Sequence, residues 1–162
     1  MSNLLKKKAV LKVQKYLKRF DEAIKIILLD ETARTAKDAA RSLDKDVGAI
    51  VKSLLFKSSE SYDFYLCLIS GDKLCNTNKI EILANKKIIK ANADECKKFT
   101  GFSIGGVSPV AHKNSPKSIL IDTNLSNYKE IFAAAGHPYV VFGISFISLC
   151  DITKGIENDI TD

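Results

Sequence analysis

Apolar residues near the start of the chain recur at helical spacing. Val10, Val13, Leu17 and Phe20 fall on one stripe, while Lys12, Lys15, Lys18 and Arg19 point elsewhere. The pattern predicts an amphipathic helix over residues 6–20, a docked element and not a cleaved peptide. A second helix is expected after Thr35, whose hydroxyl can cap a first turn that carries Asp38 three positions on. Its stripe is Ala36, Ala39, Ala40 and Leu43, small enough for close packing. The pattern then becomes that of strands at 50–56 and 64–69, joined by the polar stretch 57–63, which predicts a hairpin. Further on the sequence predicts a helix near 79–84, a strand at 87–90, a helix at 93–99 and a glycine-rich turn. Strands at 118–121, 131–134 and 139–144 and a short helix at 146–151 complete the pattern. Helices and strands mix without a regular βαβ period. The expected fold is therefore α+β: a single domain over 1–162 with a mixed, mainly antiparallel sheet packed with several short helices. There is no internal repeat and no low-complexity segment.

Composition narrows this picture in three ways. At 162 residues and 46% hydrophobic content, the chain can build one ordinary core. No apolar run approaches the roughly 18 residues of a membrane-spanning helix, and the N-terminus lacks a secretory apolar core. A soluble, cytoplasmic protein without a membrane partner is expected. The cysteines, Cys67, Cys75, Cys96 and Cys150, form no C-x-x-C pair and have no histidine at ligand spacing, so neither a metal nor a cofactor is expected. They read as structural thiols, small hydrophobes in apolar runs.

The net charge of +6 is uneven: residues 1–20 hold Lys6, Lys7, Lys8, Lys12, Lys15, Lys18 and Arg19 with no acid. The basic character belongs to one N-terminal element. Such a helix either contacts the phosphates of a polyanion such as RNA or presents a solvated face. Its almost purely lysine composition argues against a mitochondrial presequence.

Several residues could carry chemistry. Lys52 lies in Ile50-Val51-Lys52-Ser53-Leu54-Leu55-Phe56, where alternation puts it on the face of Leu54 and Phe56. A lysine there either snorkels past a sheet edge or is a fixed cation aimed at a phosphate or a developing oxyanion. In Gly101-Phe102-Ser103-Ile104-Gly105-Gly106-Val107-Ser108-Pro109 the paired glycines allow a sharp bend and Pro109 stiffens the exit. This is either a plain turn or a set of N–H groups that binds a carbonyl oxygen. No nucleotide-phosphate motif is present. His112 and His137 are the only imidazoles, and no Ser-His-Asp order is recognisable. Gly136-His137-Pro138 reads as a turn between strands, where a histidine is either incidental or part of a pocket rim.

Taken together, four stretches resemble the YbaK/ProX family, which includes the editing domain inserted into some bacterial prolyl-tRNA synthetases. They are Thr35-Ala36-Lys37-Asp38-Ala39-Ala40, residues 50–56, residues 100–109 and Ala133-Ala134-Ala135-Gly136-His137-Pro138, in family order across nearly the whole chain. The resemblance implies a metal-independent trans-editing deacylase that hydrolyses the ester of mischarged tRNA. Its partners would be that tRNA's aminoacylated 3′ end and a synthetase such as prolyl-tRNA synthetase. It further implies that Lys52, Gly105, Gly106, Ser108 and Pro109 carry catalysis, the last four in a G-x-x-x-P loop that holds the aminoacyl group. Phe56, Gly101, Val107, His112, Asp122, Gly136 and His137 would bind substrate. In the family a ribose hydroxyl of the substrate is thought to help activate the attacking water, which fits the missing triad. Some members that act on Cys-tRNA(Pro) carry a Gly-Gly-Lys turn where this chain has Gly136-His137-Pro138. The amino acid removed therefore stays open among small ones such as Cys, Ala, Ser and Thr. The alternative is a non-catalytic tRNA-binding or regulatory paralogue of the same fold.

Overall fold

The structure, a computed structural model, describes residues 2–30 and 34–162. After a 3-10 turn, Ser2–Lys6, helix α1 (Lys8–Phe20) buries Val10, Val13 and Leu17. Phe20, expected on the same stripe, is left 42% exposed because the backbone turns extended at Asp21 and the stripe loses its backing there. Helix α2 (Ala36–Leu43) follows the short strand β1 (Ile26–Leu28), and the Thr35 hydroxyl accepts the Asp38 N–H as the sequence predicts. Strands β2 (Val51–Ser58) and β3 (Phe64–Ser70) pair antiparallel as the expected hairpin. Helix α3 (Thr77–Ala84), strand β4 (Ile88–Lys90) and helix α4 (Ala93–Thr100) come next. Asn92 and Glu95 form a reciprocal capping box at the start of α4, satisfying two N–H groups that the helix cannot. Strands β5 (Ser118–Asp122), β6 (Ile131–His137) and β7 (Val140–Ile144), helix α5 (Phe146–Thr153) and strand β8 (Ile156–Asn158) complete the chain.

The α+β class holds, but the strands divide between two sheets. One is mixed, ordered β4-β2-β3-β5-β8, with the β3–β5 and β5–β8 pairs parallel; the other is antiparallel, ordered β1-β7-β6. A parallel bridge, Ile50 to Phe132, links them. Sequence periodicity misses β1 and β8, each only three residues long and too short to establish a period.

Strand alternation explains the layers. Leu66 and Leu68 of β3 face the main core with Val51, Leu55 and Ile121, closed by Val10, Val13 and Leu17 of α1 and by Ala133, Val140 and Phe142 of the smaller sheet. Tyr65, Cys67 and Ile69 point the other way, into a second cluster with Phe56, Ile80 and Ile160. A third cluster packs Ala39 and Ala40 of α2 on Ile50, Phe132 and Val141. Because β3 is covered on both faces it reads as a continuous apolar run.

Two polar residues brace the framework. Asp122 is fully buried at the end of β5, where its carboxylate accepts N–H groups from Ser70 (2.9 Å) and Asn124 (2.9 Å) and the Asn124 side-chain amide (2.8 Å). His112 is half-buried, donates from Nε2 to the Ser108 carbonyl (2.6 Å) and meets Phe102 edge-on.

Burial holds the His112 imidazole below its ordinary value near 6.5, opposed by the Ser108 carbonyl and aided by Lys12. A depressed histidine adds stability that is present above its unfolded value and is lost as pH falls through 6.5 towards the folded one, because the unfolded chain then binds more protons. Unfolding stability should therefore decline below about pH 6.5, by at most about 1.4 kcal/mol per pH unit for one such group. His112→Gln should flatten that slope in urea titrations at several pH values. His137, shifted the same way by burial and by Lys7, leaves a residual slope. Asp122→Ala should cost about 3 kcal/mol, since it strands buried N–H donors; chemical denaturation at neutral pH checks it.

Candidate functional site

The gap between the two sheets forms the site. Strand β4 pairs with Phe56, Lys57 and Ser58 of β2, and the bridge to the other sheet lies at Ile50, so among the described residues no strand pairs with 52–54 on that side. The Leu55 carbonyl faces that side, accepting the Ala91 N–H at 3.0 Å. By alternation the main-chain N–H and C=O of Ser53 also point there. A cleft of about 260 Å³ occupies this space, with Lys52, Ser53 and Leu54 on one wall and Arg34, Thr35 and Ala36, at the start of α2, on another. Phe132, Ala134, Val141 and the buried Val107 also line it, and the more accessible Ile104, Gly105 and Pro138 form its rim.

Two loops are locked together to make that rim. Gly106 donates to the Ser103 carbonyl at 2.9 Å, and Gly105 has φ +89°, the third position of a type II turn, which glycine fills without strain. A side chain on Gly106 would start 2.9 Å from the His137 Cα, so the second glycine is needed for the 136–138 turn to approach. Ile104, at the turn's apex, stays exposed beside the opening.

Charge and polarity are sparse but placed. The Lys52 ammonium donates to the Lys73 carbonyl at 2.6 Å, which leaves two of its three N–H groups for a ligand. Ser53 Oγ is the buried side-chain polar atom that, among the described residues, has no hydrogen-bond partner. An orphan hydroxyl next to an unpaired strand edge suits a ligand that supplies both a donor and an acceptor.

The cleft gathers Lys52, Gly105 and Val107 from the residues singled out in the sequence, with Gly106 directly behind the rim. The others lie elsewhere. Phe56 is 3% exposed in the second core cluster. Gly101 is the left-handed cap of α4. Ser108 is fully buried, its hydroxyl accepting the Val110 N–H at 3.1 Å. Pro109 and His112 line a different depression with Tyr16 and Lys117. Asp122 braces β3 and β5 as described, and Gly136 packs on Ala9 of α1. His137 accepts the Tyr139 N–H on Nδ1, at 3.1 Å, behind Gly106. Sequence reading did not single out Ser53, Arg34 or Phe132. For Ser53 a signal existed, a hydroxyl interrupting an apolar strand. Among the described residues no three His, Cys, Asp or Glu side chains cluster as metal ligands, and no helix is long and apolar enough to cross a membrane.

Comparison with known proteins bears on the family and the fold. The chain is 33% identical over 81 residues to the proline–tRNA ligase of Fervidobacterium nodosum (strain ATCC 35602 / DSM 5306 / Rt17-B1), a match covering 49% of this chain and 14% of that ligase. Among solved structures, a candidate trans-editing enzyme for prolyl tRNA synthetase superposes with a TM-score of 0.90 at 32% identity, covering 96% of this chain and 98% of that one. The hypothetical protein APE2540 superposes with a TM-score of 0.85 at 27% identity over 93% and 99% of the two chains. The sequence model of the aminoacyl-tRNA editing domain matches residues 30–149, so the chain belongs to the aminoacyl-tRNA editing domain family.

Proposed function

We propose that this protein is a trans-editing deacylase that hydrolyses the ester of a small amino acid, such as Cys, Ala, Ser or Thr, wrongly attached to tRNA(Pro) or a related tRNA. The observation that carries the reading is the convergence of a lysine ammonium, an unpaired strand edge and a glycine turn on one small cleft. At about 260 Å³ the cleft lies below the usual range for drug-sized ligands, which suits a small aminoacyl group at the 3′ end. The Ser53 carbonyl and hydroxyl offer acceptors to the substrate's ammonium group. The Lys52 ammonium stabilises the terminal phosphate or the oxyanion that forms when water attacks the ester carbon. As that bond breaks, the ribose oxygen leaves with a proton and the free amino acid departs. The substrate's neighbouring ribose hydroxyl helps activate the water, so the reaction draws on no metal. Similarity to a proline–tRNA ligase supports tRNA(Pro) and its synthetase as partners.

The position of the basic helix α1 supports a part in holding the tRNA. Ala9 abuts Gly136, one turn from the cleft rim, and Lys8, Lys12 and Lys15 are all exposed. They offer a track for acceptor-stem phosphates.

Three measurements test the reading. In a panel of mischarged tRNAs, assayed with and without added synthetase and after dialysis against a chelator, at least one small aminoacyl ester should be hydrolysed at an undiminished rate without metal. Lys52→Ala should slow single-turnover deacylation on the order of a hundredfold, corresponding to about 3 kcal/mol of transition-state stabilisation. Lys52→Arg should recover only part of that, because a planar guanidinium sits differently. Lys57, paired with Glu95 away from the cleft, serves as the control and should change the rate by no more than about twofold on replacement by Gln. Normal tRNA binding without turnover by the parent protein would favour the non-catalytic paralogue. Finally, replacing Lys8, Lys12 and Lys15 by Gln should lower the salt dependence of tRNA binding, by roughly one unit of log–log slope per lost phosphate contact. An unchanged slope would mean that α1 is merely solvated.

A further inference from the structure

Lys52 has a neighbour that the editing chemistry does not use. On the face of the hairpin that carries Lys52 and Leu54, Cys67 sits opposite Leu54 and diagonal to Lys52. Cys75 packs against the same apolar cluster, and its main chain is held there by an isolated bridge to Thr161. Both side chains join one apolar cluster, and each thiol is the first electrostatic influence on the other. Cys67 is inaccessible, whereas Cys75 is partly exposed. Lys73, whose carbonyl holds the Lys52 ammonium, lies two residues before Cys75 on the same short segment.

The electrostatics assign different roles to the two sulfurs. Cys75 is held below the ordinary thiol value, first by its interaction with the Cys67 thiol and then by the Lys52 cation, against burial and the carboxylates of Asp162 and Asp122. Cys67 is driven up first by its interaction with the Cys75 sulfur and then by burial. Of the two, Cys75 is the more readily deprotonated and Cys67 the one that holds its proton.

We propose that Cys67 and Cys75 form a reversible dithiol–disulfide site, oxidised by hydrogen peroxide, whose closure moves the segment that anchors Lys52. The Cys75 thiolate attacks one peroxide oxygen, the O–O bond breaks, and the departing hydroxide takes a proton to leave as water. Cys75 is then a sulfenic acid. The Cys67 sulfur attacks the Cys75 sulfur, the S–O bond breaks, and the Cys67 proton leaves with the hydroxide as a second water. Two electrons pass from the thiol pair to the peroxide. A disulfide replaces non-bonded packing with a covalent bond of about 2.05 Å, so the sulfurs must draw together. Because β3 is packed on both faces, the strap bearing Lys73 and Cys75, held by main-chain bonds to residues 160–162, is the side that would have to move.

The effect on turnover rests on the deacylase reading, and the site itself does not, so the test has separate arms. The full-length chain is treated with dilute hydrogen peroxide under native conditions and mapped by mass spectrometry without reduction. A Cys67–Cys75 cross-linked peptide is expected, lost on adding dithiothreitol and absent in Cys75→Ser. Amine acylation of Lys52, followed by peptide mapping, should become roughly fivefold faster in the oxidised protein as the ammonium loses its carbonyl. On a mischarged tRNA that the reduced protein hydrolyses, oxidation should lower the rate about tenfold and dithiothreitol should restore it, while Cys75→Ser is unaffected by peroxide. Absence of the cross-link, or a link through Cys96 or Cys150 instead, overturns the site. A Cys67–Cys75 link with unchanged Lys52 acylation overturns the coupling to Lys52. If the reduced protein hydrolyses no mischarged tRNA, the deacylase reading fails, while the mapping and acylation arms still decide the switch.

Discussion

Strand β2 is paired along its whole length by β3 but by β4 only over its last three residues, and this unequal pairing governs the molecule. A strand edge left open inside a fold must be covered or used, because its N–H and C=O groups cannot stay dry and unpaired. Here the smaller sheet comes alongside at Ile50 and then diverges, so the unpaired stretch becomes the wall of a cleft. The start of α2 closes one end, its Thr35 cap leaving the first turn beside Lys52 and Ser53. The cleft is thus a consequence of how two sheets meet, with main-chain groups of β2 in its wall beside the Lys52 and Ser53 side chains.

Main-chain recognition demands rigid support. The Gly105–Gly106 turn lies against the 136–138 turn so closely that neither glycine could carry a side chain without displacing its neighbour or straining the backbone. The 136–138 turn in turn rests on α1 through Gly136 and Ala9. Asp122 fixes the opposite end of the framework by tying the last residue of β3 to β5. A ligand in the cleft would meet groups whose positions are set by these contacts, the condition for stabilising charge without reorganisation.

What the sequence revealed follows from how local each signal is. The stripe of α1, the Thr35 cap and the β2–β3 hairpin depend on neighbours within a few residues, and each appears where periodicity and capping chemistry put it. Phe20 departs because a stripe has no means of stating where the surface behind it ends. The cleft draws on residues 34–39, 50–54, 104–107 and 132–141, and only tertiary packing brings these together. Asp122 and His112 show the converse difficulty. A buried carboxylate bracing Ser70 and an imidazole bonded to Ser108 look, in sequence, like any acid or base near a pocket motif. Ser53 went unnoticed since its significance lies in a partner it lacks.

Lys52 finally joins the two halves of this picture. A lysine at a sheet edge can extend into water, and snorkelling would leave it free to move. This one is fastened to the Lys73 carbonyl at 2.6 Å, over a cluster that contains Cys67 and Cys75. The bond fixes one direction of the ammonium and leaves the remaining donors near the cleft. Screening is weaker there than at the surface, and the cation also lowers the thiol beside it. A single hydrogen bond on the strap that follows β3 therefore fixes the aim of a charge that also acts on the neighbouring thiol. Any change that shifts that strap, whether a substitution near Lys73 or a bond between sulfurs, acts on the cleft without touching its walls.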